Sequence, residues 1–130
     1  KKLKIINNSK STNINSAINS IKNYNNIYLI MGGIAKEINF EIILRYKKKL
    51  NRVYTFGKSG SFIEKKLQKS LHVKSFKNLK SVVKQLFKDI KENKGQSTIL
   101  FAPACSSYDQ YKNFEDRGKY FNDLINENLF

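Results

Sequence analysis

Apolar positions along this chain follow two alternating patterns: short, mostly apolar runs, and longer stretches spaced by three and four. Residues 3–6, 27–31, 53–56 and 99–102 are runs of the first kind, and Val73 and Phe76 mark a shorter one. Runs that are apolar on both faces suit the interior of a parallel sheet, which helices cover on either side. Between them lie stretches of the second kind. Ile14, Ala17, Ile18 and Ile21 keep to one helical face, as do Ile38, Ile42, Ile43 and Tyr46. Phe62, Ile63 and Leu67 begin another helix. Leu79, Val82, Val83, Leu86, Phe87 and Ile90 form the clearest one, with Asn78 as its N-cap and Gly95 as its stop. Phe114, Phe121, Leu124 and Ile125 line the last. Strand and helix alternate throughout, which predicts an α/β fold: one domain over residues 1–130, doubly wound, with a mostly parallel sheet flanked by helices. In such sheets ligands bind at the carboxyl ends of the strands. Three polar loops fall there: residues 7–13, 32–36 and 103–113.

Composition narrows the picture. The 130 residues suffice for a hydrophobic core without staples. The single cysteine, Cys105, excludes an internal disulfide and fits a reducing cytosol. No apolar run approaches the roughly 18 residues of a membrane span, and the first residues lack the apolar core of a signal peptide. A cytoplasmic monomer is expected. The net charge of +15 raises nucleic acid as a partner. However, only Arg45, Arg52 and Arg117 among the basic residues are arginine, the side chain that reads bases and clamps phosphates. Lysine, asparagine and isoleucine are abundant together, as drift in an A/T-rich coding sequence produces. The charge is therefore read as background that favours anionic substrates, with no nucleic-acid partner expected.

Each loop allows more than one chemistry. Lys10-Ser11-Thr12 resembles the end of a phosphate loop, but no glycine precedes it to let backbone N–H groups wrap a phosphate. Two readings stay open for this loop: an anion site beside a helix N-terminus, or ordinary capping by Ser or Asn. Gly32-Gly33-Ile34-Ala35-Lys36 follows a buried strand, so its glycines allow close backbone approach and Lys36 could meet a carboxylate or phosphate. Gly57-Lys58-Ser59-Gly60 is a similar turn without the other glycines of a dinucleotide fingerprint. Cys105 reads as a small buried residue, because the one histidine, His72, lies in another segment without a partner acid. One Cys and one His also rule against a closed zinc site, and no metal ligands are expected.

Residues 102–121, from Ala102-Pro103-Ala104-Cys105 through Asp109-Gln110-Tyr111 to Phe114-Glu115-Asp116-Arg117-Gly118, resemble a segment of the Mur ligase family, most closely of its D-glutamate-adding members. Asn8-Ser9-Lys10-Ser11-Thr12-Asn13 and Gly32-Gly33-Ile34-Ala35-Lys36 are similar to two more of the family's motifs, in the same order. The chain departs from the family pattern at Asn8, an aspartate there, and at Ile34, Ala102 and Tyr108. The resemblance implies the Rossmann-like carboxy-terminal domain of a three-domain enzyme, whose UDP-binding and ATPase domains are absent from this chain. It implies an ATP- and Mg2+-dependent ligase of peptidoglycan synthesis. ATP would phosphorylate the alanyl carboxylate of UDP-N-acetylmuramoyl-L-alanine, and the amine of D-glutamate would attack the acyl phosphate. Carried over by motif, Thr12, Lys36, Ser107, Tyr108 and Phe114 would surround D-glutamate, and Asn8 and Lys10 would touch the nucleotide. No catalytic residue is expected within these residues. The alternative is a stand-alone module binding an acidic amino acid or a nucleotide without catalysis.

Overall fold

The computed structural model describes residues 2–129 and contains a five-stranded sheet, every strand of it parallel. The strands are β1 (Leu3–Asn7), β2 (Ile27–Gly32), β3 (Leu50–Phe56), β4 (Val73–Phe76) and β5 (Ser97–Phe101). They lie in the order β1-β5-β2-β3-β4. The helices are α1 (Ile14–Ile21), α2 (Gly60–Leu67), α3 (Leu79–Ile90) and α4 (Phe114–Asn128), with a 3₁₀ segment at Phe40–Lys49. The α/β reading from the sequence holds.

The period of two along β2 divides the core. Ile27, Leu29 and Met31 point to the face covered by α1, the 3₁₀ segment and α2. Tyr28 and Ile30 point to the face covered by α3 and α4. The helices divide this way for a reason of handedness. The chain steps outward from β1 to β2, β3 and β4, then returns to insert β5 between β1 and β2. Crossovers between parallel strands are right-handed, so a reversal of direction sends the connecting helix over the opposite face. Both faces of β2 and β5 are buried as a result, which is why these two strands read as continuous apolar runs.

Several local expectations are corrected. Residues 38–46 do not form an α-helix. Phe40, Ile43 and Tyr46 are spaced by three, the period of a 3₁₀ helix, and Phe40 and Ile43 are fully buried. Ile38 precedes the segment and is 71% exposed. Gly95 does not end α3, which closes at Lys91 in right-handed conformation; Gly95 lies beyond, in the turn into β5. Phe62 and Phe114 fit the apolar pattern but are each 38% exposed, both in first helical turns at the carboxyl edge of the sheet. The Asn78 cap is present, its Oδ1 accepting from Ser81 N at 3.0 Å. Among the described residues no helix is long and apolar enough to cross a membrane.

Candidate functional site

Strands β1, β5 and β2 are neighbours, so the three polar loops of the sequence emerge side by side at the carboxyl edge. The chain leaves β1 over one face and β5 over the other. Adjacent strands whose connections part in this way open a crevice between their loops.

The long loop after β5 is tied to every other loop at this edge. Toward β1, Ala104 N donates to Ser11 O at 2.9 Å. Toward β2, Gly32 N donates to Pro103 O at 3.1 Å, and Ile34 and Ser106 exchange both backbone bonds at 3.1 and 3.0 Å. Toward β3, Lys58 N donates to Asp109 Oδ2 at 2.9 Å. Toward β4, Gln110 Nε2 donates to Lys77 O at 3.0 Å. Two backbone positions show how tightly this is built. Ala104 takes a left-handed φ of 60°, costly for a residue with a Cβ. Gly33 has φ 126°, and a Cβ there would lie 2.1 Å from Ser106 O.

Beneath the loops sits Arg117, fully buried. Its Nε donates to Ser9 Oγ at 3.0 Å, Nη2 to Ser9 O at 2.6 Å and Nη1 to Cys105 O at 3.0 Å. Its guanidinium lies 5.8 Å from the centre of the Phe101 ring, which stacks in turn on Phe121. Among the described residues it has no ion pair with a carboxylate. Burial pulls its pKa down to about 10, so it stays charged at neutral pH. Next to it, Gly118 lets the helix approach: a Cβ there would meet Ser9 Cβ at 3.0 Å, and Asn7 Nδ2 donates to Gly118 O at 2.8 Å. The sequence reading gave Arg117 no role. The signal was its place between Phe114 and Phe121 on the apolar face of α4, where a cation must find internal partners. Asp109, which anchors the β3 loop and whose Oδ1 is buried without a hydrogen-bond partner, was also missed.

The seven candidate residues all lie in these loops or at the start of α4. Ser107 is buried at 2% exposure, its carbonyl accepting from Tyr111 N at 2.9 Å. Thr12 is half-buried and Lys36 exposed. Tyr108 is 71% exposed. Phe114 is partly exposed, and its carbonyl accepts from Ser9 Oγ at 2.7 Å. The seven share the carboxyl edge of the sheet, some buried and some exposed. Asn8 and Lys10 lie on the α1 side of it, with Ser11 and Ser20 in the lining of a depression of about 380 Å³. Asn8 Nδ2 donates to Ser20 Oγ at 2.6 Å, tying the loop to α1. Ser11 is 1% exposed and its hydroxyl has no hydrogen-bond partner among the described residues.

Of the two readings left open for the first loop, capping holds at the helix end. Asn13 Oδ1 accepts from Ser16 N at 2.9 Å, and Glu37 Oε1, from the loop after β2, accepts from Ile14 N at 2.8 Å. A carboxylate of the protein itself thus occupies the N-terminus of α1. Cys105 is buried, its thiol pushed up to about 12 by burial, which makes it a poor nucleophile. His72 stands at the amino edge of the sheet, its Nε2 3.2 Å from Arg52 Nη1.

Fold and loops define an α/β domain of the doubly wound class, with its candidate site at the switch point of the sheet. No family model matches the chain. It is 40% identical over 121 residues to the UDP-N-acetylmuramoylalanine--D-glutamate ligase of Rickettsia bellii, covering 92% of this chain and 27% of that protein. It is 42% identical over 127 residues to the ligase of that name from Buchnera aphidicola, covering 94% of this chain and 28% of the relative. The Wolbachia protein of the same name is 33% identical over 116 residues. Over nearly all of its length the chain is therefore homologous to one part of UDP-N-acetylmuramoylalanine--D-glutamate ligases. It spans about a quarter of the length of these relatives, consistent with their carboxy-terminal domain.

Proposed function

We propose that the chain is the amino-acid-binding domain of an ATP-dependent amide ligase that joins D-glutamate to UDP-N-acetylmuramoyl-L-alanine in peptidoglycan synthesis. The similarity to D-glutamate ligases over nearly all of the chain carries this reading. In it, residues 1–130 are a single domain of a monomeric cytoplasmic enzyme, and the UDP-binding and ATPase parts lie outside them.

The geometry supports it in three ways. Each loop at the carboxyl edge bears an exposed lysine: Lys10, Lys36, Lys58, Lys77 and Lys112. That concentrates positive potential where a nucleotide and a dicarboxylate would approach. Lys36 would pair with a carboxylate of D-glutamate as a point charge, Thr12 and Ser107 would offer hydroxyls, and Tyr108 and Phe114 would form walls. The depression beside Lys10 and Asn8, lined also by Ser16, Asn19 and Ser20, suits the polar edge of a nucleotide. Bound ATP would supply the phosphoryl group that activates the alanyl carboxylate. By the family resemblance, Mg2+ and the phosphates would be held mainly by the ATPase part.

The work of this domain would be to hold D-glutamate with its amine aimed at the acyl phosphate. Positioning of that kind supplies roughly 7–11 kcal/mol in the best cases. Lys36, Tyr108 and Phe114 are exposed, so a second surface must complete the site. The isolated chain is expected to lack ATPase activity and to bind D-glutamate weakly. The test is phosphate release from ATP by the full-length protein, with UDP-N-acetylmuramoyl-L-alanine and D-glutamate added separately and together. Turnover that requires both is expected. A folded protein without it, or one with no ATPase part, overturns the reading.

A further inference from the structure

We propose that Arg117 is a positioning residue that sets the nucleotide-side loop and the amino-acid-side loop as one unit. The inference rests on the ligase reading above. Arg117 touches none of the seven candidate residues through its side-chain hydrogen bonds; it acts one step behind them. Two arms of its fork hold Ser9, which lies between Asn8 and Lys10 in the chain. The third holds the carbonyl of Cys105, two residues before Ser107. Ser9 then passes the link on through its hydroxyl, which donates to the carbonyl of Phe114 at the start of α4. One rigid planar group thus fixes the backbone behind Asn8 and Lys10, behind Ser107 and Tyr108, and at Phe114.

The chemistry of the group points to placement more than to stability. A buried guanidinium without a carboxylate partner costs desolvation that carbonyl dipoles only partly offset, and an apolar side chain of similar volume often serves a core better. A guanidinium does what such a side chain cannot: it spans acceptors on separate segments at fixed angles. Lysine keeps the charge but has one nitrogen, which cannot reach Ser9 O, Ser9 Oγ and Cys105 O in the same way. The Ile34–Ser106 pair and the Asp109–Lys58 bond extend the setting from the loop after β5 to those after β2 and β3. An error at Arg117 is therefore felt at both ligands together.

The test is a KM and kcat comparison in the full-length protein of wild type, Arg117→Lys, Ser9→Ala and Tyr54→Phe. Tyr54 donates to Asp89 Oδ2 at 2.6 Å on the α3 face, away from the loops, so its variant is a stability control. Displacement of reacting groups by about 1 Å can cost about 100-fold. Arg117→Lys is expected to raise KM for ATP and for D-glutamate together, each between about 10- and 100-fold on that scale, and to leave KM for UDP-N-acetylmuramoyl-L-alanine unchanged. Ser9→Ala keeps the carbonyl bond and should give a smaller joint rise; it also serves if Arg117→Lys fails to fold. Tyr54→Phe should change none of the three constants. Unchanged KM values in a folded Arg117 or Ser9 variant, or a rise for only one of the two ligands, overturn the proposal. A wild-type protein without D-glutamate-dependent turnover counts against the ligase reading instead. Amide shifts of the 130-residue chain then decide the coupling: Ser9→Ala must move residues 8–10 and 105–108 together, and shifts confined to one loop overturn it.

Discussion

Arg117 and Ser9, 108 positions apart in the chain, are joined twice, guanidinium Nε to the Ser9 hydroxyl at 3.0 Å and Nη2 to the Ser9 carbonyl at 2.6 Å. The pair ties the first turns of α4, which follows β5, to the loop after β1. Arg117→Ala would leave a cavity and strip the donors from two carbonyls and a hydroxyl in a dry interior. We expect a loss of about 3–5 kcal/mol, read as a lower urea midpoint with unchanged slope. A loss under about 1 kcal/mol would mean that water replaces the guanidinium without penalty.

Two glycines separate backbone necessity from open space. Gly33 has φ 126° and faces Ser106 O, whereas the nearest atom to a Cβ on Gly95 is Asn93 Oδ1 at 3.8 Å. Gly33→Ala is expected to break the Ile34–Ser106 pair and cost more than about 2 kcal/mol. Gly95→Ala should stay within about 0.5 kcal/mol of wild type. Thermal unfolding of the two variants side by side checks both values.

Stability should fall on the alkaline side. Burial raises the Cys105 thiol to about 12, and burial first of all also raises the Tyr111 hydroxyl. The same cause, joined by the hydrogen bond to Asp89, raises Tyr54. All three are acids with folded pKa values above the unfolded ones, so the unfolded chain releases their protons first. Their contribution is complete below the unfolded thiol value of about 8.5 and is lost as pH rises above it. Between about pH 8.5 and 10 the thiol alone would account for up to about 2 kcal/mol. Arg117, pulled down to about 10, has the opposite sign, but its midpoint lies at the upper edge of this window, so it offsets only a small part of the loss. Urea midpoints from pH 7 to 10 should be flat and then decline, and Cys105→Ala should flatten the decline.

Lys36 is exposed and has no hydrogen bond or ion pair among the described residues, so its removal should leave the unfolding midpoint unchanged. Under the proposed function, Lys36→Met raises KM for D-glutamate by about 10-fold or more, the equivalent of a lost charged contact. The same KM in wild type should rise with ionic strength, as exposed charges are screened. A variant with wild-type KM would remove Lys36 from the site.

Much of this was legible in the sequence because local periodicity reports burial. The run Ile27 to Met31 named a strand covered on both faces, and the spacing from Leu79 to Ile90 named a helix. Polar loops after such strands marked the carboxyl edge as the candidate site. The stretch from Phe40 was misread because a period of three and one of 3.6 differ little over so few residues.

The tertiary structure alone decided which partner each polar group would find. The sequence left an external anion or a Ser or Asn cap open at the N-terminus of α1, but part of the answer was Glu37, 23 residues from Ile14. It offered Arg117 as one more cation in a basic chain, whereas the fold buries it against carbonyls from two distant loops. It offered Asp109 as a loop residue, and the fold makes it the anchor of Lys58. The physical reason is the same in each case. Apolar burial is non-directional and shows in a residue's own spacing, while a hydrogen bond needs a particular partner at about 3 Å, and only chain topology brings that partner there.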